Sequence, residues 1–351
     1  AHPHYASDKS FVLAHNGIAE NAAELKVSLL KKGYAFETQT DTEAIVRLVE
    51  EKRKKTKTLR EAVRSAFREL TGRNTVIVLA KDGEIIAARN GSPLVLGTKN
   101  TDELYFSSDV LSFAPYVSHV LVMENGQMVS KNGSDIQVTH IVKGTKIKPK
   151  FEKNAIVGSD VHKGAYDHYM VKEIHEAPYV IRQVLTEPDL NYRALAAAIK
   201  KAKNVYTIGS GTAGAAAAQT AYYLRVYGGV KATALIGAEA SDYYKLIGKG
   251  DVILSPSQSG ETADVLEVLE LAKKRGAKIA SHVNMPGSMM TRMSDFKFMA
   301  QAGPEICVMS TKIFVSQIAW GYLVAKAVAG KLQDGKKSLK SLASIADKQL
   351  K

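Results

Sequence analysis

The sequence predicts two unlike domains: an α+β domain, then an α/β domain built on a doubly wound parallel sheet. Three observations predict this. The chain has 351 residues, enough to give each of two domains its own core. Residues 1 to about 145 mix helical periodicity with strand-like runs and Gly-containing turns. From about 192 to 334, strand and helix patterns alternate, as in a parallel sheet covered on both faces.

The elements follow in order. In the first part, helical patterns cover 20–32, 42–51 and 59–70, and strand patterns cover 12–14, 74–80, 84–89 and 119–123. Lys81-Asp82-Gly83 and Glu124-Asn125-Gly126 have hairpin-turn composition. Residues 146–191 read as a linker with one helix, 166–185, interrupted near Pro178. Strands are then expected at 204–208, 231–236, 251–254 and 296–300. Helices are expected at 215–227, 263–275 and 313–329. Residues 331–351 form a basic, helix-prone tail.

The most informative stretch is Ser257-Gln258-Ser259-Gly260-Glu261-Thr262, between a strand pattern and a helix pattern. Such a turn aims backbone N–H groups and a helix N-terminus at one spot, and its hydroxyls and amide add donors. A phosphate suits that spot, and the lack of a Gly-Lys-Ser/Thr pattern argues against a nucleoside triphosphate. Gly209-Ser210-Gly211-Thr212-Ala213-Gly214 also follows a strand pattern and opens an Ala-rich helix. Its glycines fit a dinucleotide fingerprint, but the acidic residue that fingerprint needs, Glu239, comes too late. The third loop, residues 305–312, includes Val308, Ser310 and Glu305. Glu305 is either a pocket carboxylate or part of the helix opening. Loops that follow parallel strands lie on one edge of the sheet, so the three are expected to converge.

In the first part, His15-Asn16-Gly17 ends a short strand. An Asn amide and a Gly N–H in a turn can aim two donors at one oxygen, although Asn-Gly is also an ordinary turn signal. Asp41 stands where a helix begins and could be its N-cap.

A net charge of +13 with basic runs at 51–57 and 143–150 raises a nucleic-acid reading. No aromatic platform or recognition helix flanks these runs, so they read as solvated faces. The single cysteine, Cys307, excludes a disulfide framework and fits a reducing, cytoplasmic setting. No Cys/His spacing implies a metal. Residues 1–351 contain no signal-peptide pattern, and the most apolar stretch, 313–329, is interrupted by Gln317 and Lys326; no membrane partner is expected.

The loops GSGTAG (209–214), SQSGETAD (257–264) and EICVMSTK (305–312) resemble the ligand loops of a sugar isomerase (SIS) domain. With KGAYDHYMVKEIHEAP (163–178) just upstream, the match narrows to the glutamine–fructose-6-phosphate aminotransferase family. His2-Pro3-His4, HNGIAEN (15–21) and TDTE (40–43) resemble that family's class II glutamine amidotransferase half. The resemblance implies a partial N-terminal-nucleophile sandwich at 1–145, a linker at 146–191, a first SIS domain at 192–334 and a truncated connection at 335–351. It implies transfer of the glutamine amide nitrogen to fructose 6-phosphate with sugar isomerisation, giving glucosamine 6-phosphate. Asn16 and Gly17 would form the oxyanion hole, and His2 and Asp41 would bind glutamine. Thr212, Ser257, Gln258, Ser259, Thr262, Val308 and Ser310 would bind the sugar phosphate. No redox or metal cofactor is required, because acid/base groups and oriented donors suffice.

Three departures shape the expectation. The family's nucleophile is an N-terminal Cys whose own amine serves as base, whereas this sequence begins with Ala1. It also ends at Lys351, without the family's second SIS domain. The chain is therefore expected to be an internal piece of a longer enzyme or the product of a split frame, without glutaminase turnover. Ala213 replaces the family's usual Ser and removes one hydroxyl from the phosphate loop. The alternative is a non-catalytic SIS-type phosphosugar sensor. A purine-pathway amidotransferase is disfavoured by the SIS loops. The helix at 313–329, apolar nearly all round, is expected to need cover from a partner subunit or the second SIS domain, hence a homodimer or an aggregation-prone species.

Overall fold

A computed structural model of the chain describes residues 2–99, 103–154 and 162–350. Its contacts divide it into two compact units, 1–157 and 158–351.

In the first unit the order is β1 (His4–Tyr5), β2 (Phe11–Gly17), α1 (Ala22–Leu30), α2 (Asp41–Arg53), α3 (Leu59–Phe67), β3 (Asn74–Ala80) and β4 (Ile85–Asn90). Then come β5 (Val95–Thr98), β6 (Tyr105–Ser107), β7 (His119–Val122), β8 (Gln127–Asn132), β9 (Asp135–His140), β10 (Lys146–Ile147) and β11 (Glu152–Lys153). A seven-stranded sheet runs β1-β2-β3-β4-β8-β9-β10, and a four-stranded sheet runs β11-β7-β5-β6. Period-2 alternation sends Leu13, Val76, Val78, Ile86 and Met128 to one face, where Ile45, Leu48, Ala62 and Val63 of α2 and α3 cover them. Ala87 and Val129 face the other way and meet Leu96 and Leu121 of the second sheet. The layers are thus helix, sheet, sheet. Beyond the second sheet the described residues place two short 3-10 turns, 110–112 and 114–116.

Two turn expectations need correction. Asn16 and Gly17 are not a turn after the strand; they are its last two residues, opposite Thr75 and Asn74. Glu124-Asn125-Gly126 is no hairpin either, because it carries the chain from β7 in one sheet to β8 in the other. Composition sets local backbone geometry, but the strands' buried faces decide which sheet each joins. The true hairpin nearby is β8–β9, closed by Gly133-Ser134.

The second unit contains α4 (Tyr169–His175), α5 (Ala177–Thr186), α6 (Asp189–Lys201), β12 (Val205–Gly209), α7 (Gly211–Val226), β13 (Ala232–Ile236), β14 (Val252–Ser257), α8 (Ala263–Lys274), β15 (Lys278–Val283), α9 (Met289–Met293), β16 (Phe296–Met299), α10 (Lys312–Val328) and α11 (Leu332–Gln349). All strand pairs are parallel, in the order β13-β12-β14-β15-β16. One face packs under α5, α6, α7, α10 and α11 through residues such as Tyr192, Leu224, Trp320 and Leu339. The other packs under α8 and α9 through Val265, Leu269 and Met290. The sheet is doubly wound, as expected.

Residues 146–191 hold more structure than a linker. Residues 146–147 and 152–153 are edge strands of the two sheets of the first unit. Val180, Ile181 and Val184 are core residues of the second. Residues 155–161 lie outside the described residues. The tail is likewise part of the core: Leu332, Leu339 and Ala343 of α11 are buried, and Lys336 pairs with Asp189 at 2.7 Å. The chain's own helices α5, α6, α7 and α11 pack on α10. At one crossing a Cβ on Gly321 would sit 2.2 Å from Thr220 Oγ1, so α7 and α10 approach closely. The apolar circumference of α10 therefore does not itself require a partner subunit.

Candidate functional sites

The first site lies where β2 ends and α2 begins. Thr40 caps α2, its hydroxyl accepting from Glu43 N at 3.3 Å, so Asp41 is the first helical residue and not the cap. Asp41 Oδ2 accepts the Ala19 N–H at 2.9 Å, and among the described residues Oδ1 accepts no hydrogen bond. Helix N-termini favour such a carboxylate, and its free oxygen suits an ammonium ligand. Glu43, buried two residues on, accepts the N–H groups of Glu37 and Thr38 and pairs with Arg47 at 3.2 Å. The carboxylate of Glu43 shapes the approach to the helix, whereas that of Asp41 keeps one oxygen without a hydrogen bond among the described residues.

Asn16 and Gly17 stand exposed at the end of β2. Gly17 has φ +135°, and a Cβ there would lie 2.0 Å from Arg73 O, so only glycine fits. Behind them His15 is buried, with Nε2 2.9 Å from Asn74 Oδ1 and Nδ1 3.2 Å from Thr42 Oγ1. His2 Nε2 is 3.0 Å from the same hydroxyl. The structure thus brings His2, Asn16, Gly17 and Asp41 to one end of the helix-sheet sandwich. His15, Thr42 and Asn74 join them; sequence reasoning missed these, although His15 and Thr42 adjoin predicted site residues.

The second site lies at the C-terminal edge of the parallel sheet. β14 runs through Pro256 to Ser257, past the expected end at 254. Ser257 Oγ accepts from Gly260 N at 2.9 Å, and Ser259 Oγ accepts from Glu261 N at 3.1 Å. Each hydroxyl keeps its own proton to donate to an anion. Thr262 is the N-cap residue of α8, yet its side chain makes no capping bond. Gln258 is half-buried, and its backbone carbonyl accepts from Asn284 N and Met285 N. Gly260 has φ +66°, and a Cβ there would lie 2.2 Å from Ser288 Oγ. The loop is thus fastened to residues 284–290, a support the sequence reading did not identify.

Thr212 is exposed in the first turn of α7, on the neighbouring strand's loop. Ser210 precedes it, and its buried Oγ has no partner among the described residues. The third loop is built differently. Glu305 Oε1 accepts from Thr311 N at 2.8 Å and Ile313 N at 3.0 Å, so it opens α10 and is not a pocket carboxylate. Ser310 donates to Glu305 at 3.1 Å, and Val308 is fully exposed. Neither is fixed toward the other two loops. From α4, the buried Glu173 accepts from Ile306 N at 2.6 Å, Cys307 N at 3.0 Å and Thr311 Oγ1 at 2.8 Å. Glu176 pairs with Lys312 at 2.6 Å.

Comparison with known proteins finds a different domain family in each of the two units. The glutamine amidotransferase domain family matches residues 1–115, and the SIS domain family matches residues 198–327. The glutamine–fructose-6-phosphate aminotransferase of Thermococcus kodakarensis is 34% identical over 321 residues, covering 91% of this chain and 53% of that protein. The Shewanella oneidensis protein of the same name is 34% identical over 342 residues, covering 94% and 56%. Among solved structures, the C-terminal domain of the Francisella tularensis aminotransferase is 30% identical at a TM-score of 0.45, covering 53% of this chain and 56% of that one.

The chain joins a glutamine amidotransferase domain to a SIS domain. Over nine-tenths of its length it is a homologue of the glutamine–fructose-6-phosphate aminotransferases. It spans about half the length of these curated relatives. No described helix is long and apolar enough to cross a membrane, and the described residues hold no cluster of three metal-ligating side chains.

Proposed function

We propose that this chain serves glutamine-dependent synthesis of glucosamine 6-phosphate from fructose 6-phosphate, with glutamate as the second product. The observation that carries the reading is the union, in one chain, of an amidotransferase domain and a SIS domain. In the first unit, Asp41 holds the α-amino group of glutamine. The Asn16 side chain and the Gly17 N–H receive the charge that develops on the amide oxygen. His2 borders the same site. In the second unit, Ser257, Ser259 and Thr262 donate to the phosphate beside the N-terminus of α8, with Gln258 and Thr212 next to them. Val308 and Ser310 would meet the sugar only if loop 305–312 turns inward on binding. Ammonia addition and enolisation run on acid/base groups, so the reading requires no redox or metal cofactor.

Calorimetry with fructose 6-phosphate or glucosamine 6-phosphate tests the second site. Binding is expected, and Ser259→Ala or Thr262→Ala should each weaken it by about 0.5–3 kcal/mol, depending on charge assistance. A well-folded protein that binds neither sugar phosphate would refute the reading.

A homodimer formed through the SIS helices belongs to the same proposal. Its support is an apolar groove of about 400 Å³ lined by Phe314, Ile318, Tyr322 and Leu342 on the outer side of α10 and α11. Light scattering should report a dimer that Leu342→Glu dissociates. A monomer at tens of micromolar would count against it. The single cysteine supports placing the protein in the cytoplasm.

A further inference from the structure

The buried chain of hydrogen bonds behind the glutamine site has a direction. Asn74 Nδ2 donates to Thr71 O at 2.9 Å, so its Oδ1 is the atom that faces His15 Nε2. An amide oxygen only accepts, so Nε2 carries a proton. In the neutral ring Nδ1 is then an acceptor, filled by the Thr42 hydroxyl at 3.2 Å. The Thr42 oxygen in turn accepts from His2 Nε2 at 3.0 Å.

This geometry ties together the two halves of the site. Asn74 lies opposite Gly17 in the β2–β3 ladder, and Thr42 follows Asp41 on α2. The groups facing the ring are Asp41 from α2, His2 from the segment before β1, and the neutral Asn74 from β3. Nδ1 lies 3.8 Å from Asp41 Oδ2. Burial is the main influence holding the ring's pKa below the ordinary histidine value; the Asn74 bond and Asp41 oppose it, and His2 adds to it.

We propose that His15 is a positioning residue of the glutamine site: neutral, it fixes Asn16-Gly17 against Asp41, and protonated, it occupies Asp41 in place of the ligand's α-amino group. The proposal rests on the reading of Asp41 as the ammonium site. Protonation makes Nδ1 a donor, so it can no longer accept from Thr42. The nearest anion is Asp41, and an internal cation there competes with the ligand's ammonium.

Calorimetry with L-glutamate, the product with the same α-amino group, tests this on the intact chain. From about pH 7.5 downward, affinity should hold above the ordinary histidine pKa and fall below it, approaching about tenfold per pH unit as for one competing proton. His15→Gln keeps a donor and an acceptor but has no titrating proton. Whatever its affinity at neutral pH, it should show no fall as the pH is lowered. Should His15→Gln not fold, Thr42→Val carries the test. Losing the hydroxyl that bonds the neutral ring should move the midpoint of the pH dependence upward, and Thr42→Ser should restore it. A parent protein whose affinity does not change with pH, a His15→Gln variant that tracks the parent, or an unmoved midpoint in Thr42→Val overturns the role of His15 alone. A folded parent protein that binds no L-glutamate at any pH overturns the glutamine-site reading as well.

Discussion

Acidification from about pH 6.5 to 4.5 is expected to cost the second unit on the order of 3 kcal/mol through one side chain, His282. This histidine sits near the end of β15, fully buried, with Nε2 2.9 Å from Ser316 Oγ and its ring stacked on Trp320 at 5.3 Å. Its Nδ1 has no partner among the described residues. Burial lowers its pKa from 6.5 to about 3. The folded state therefore keeps the ring neutral while the unfolded chain takes up a proton. The contribution to stability is complete above pH 6.5 and is lost as pH falls toward the folded value, at about 1.4 kcal/mol per pH unit. Urea unfolding of the parent and of His282→Gln at several pH values reads this directly. The variant should have a flatter acid limb, whatever its stability at neutral pH. Parallel acid limbs would show that the ring is hydrated or already protonated in the folded protein.

The same histidine illustrates what the sequence could and could not say. The strand Lys278–Val283 carries it in a run that reads as half polar, yet every residue after Lys278 is buried. Parallel strands are covered on both faces, so alternation is a weak guide there. The alternation of strand and helix was legible except at β15, where no strand was expected, and the shared sheet edge of loops 209–214 and 257–262 was legible too, because local periodicity and turn chemistry specify both. The length of β14 was not legible, since Pro256 reads as a strand terminator; here the strand continues past it and carries Ser257 to the sheet edge. Asn16-Gly17 reads as a turn on composition, but pairing with β3 extends the strand through it. The burial of α10 was legible, but not which elements cover it. Helices α5 and α11 flank it from segments that read as linker and tail, and α6 from residues 189–201, where no element was expected.

Glu173 marks the limit most clearly, and replacing it should have one of the largest effects in the second unit. On sequence alone it is one charge on the helix expected at 166–185 within a linker, and nothing local gives it a partner. In the fold its partners are 133 to 138 residues away, on loop 305–312. It is 1% exposed and accepts two backbone N–H groups and one hydroxyl. Hydrogen bonds to a charged acceptor contribute about 1.5–3 kcal/mol each, and removing the acceptor leaves the donors unsatisfied. Glu173→Ala is therefore expected to destabilise the second unit by about 3–5 kcal/mol, and the loop should lose its shape at both ends. Glu173→Gln keeps an oxygen for the two backbone donors and presents an amide to Thr311, whose hydroxyl can accept, so its cost should be less than half as large. If loop 305–312 closes over the sugar phosphate, Glu173→Ala should also weaken phosphosugar binding, beyond any effect of unfolding, while Ser257, Ser259 and Thr262 remain in place. Denaturant titration and calorimetry on the two variants separate these effects. An alanine variant within 1 kcal/mol of the parent would mean that Glu305, which opens α10 through Thr311 and Ile313, holds the loop without help from α4.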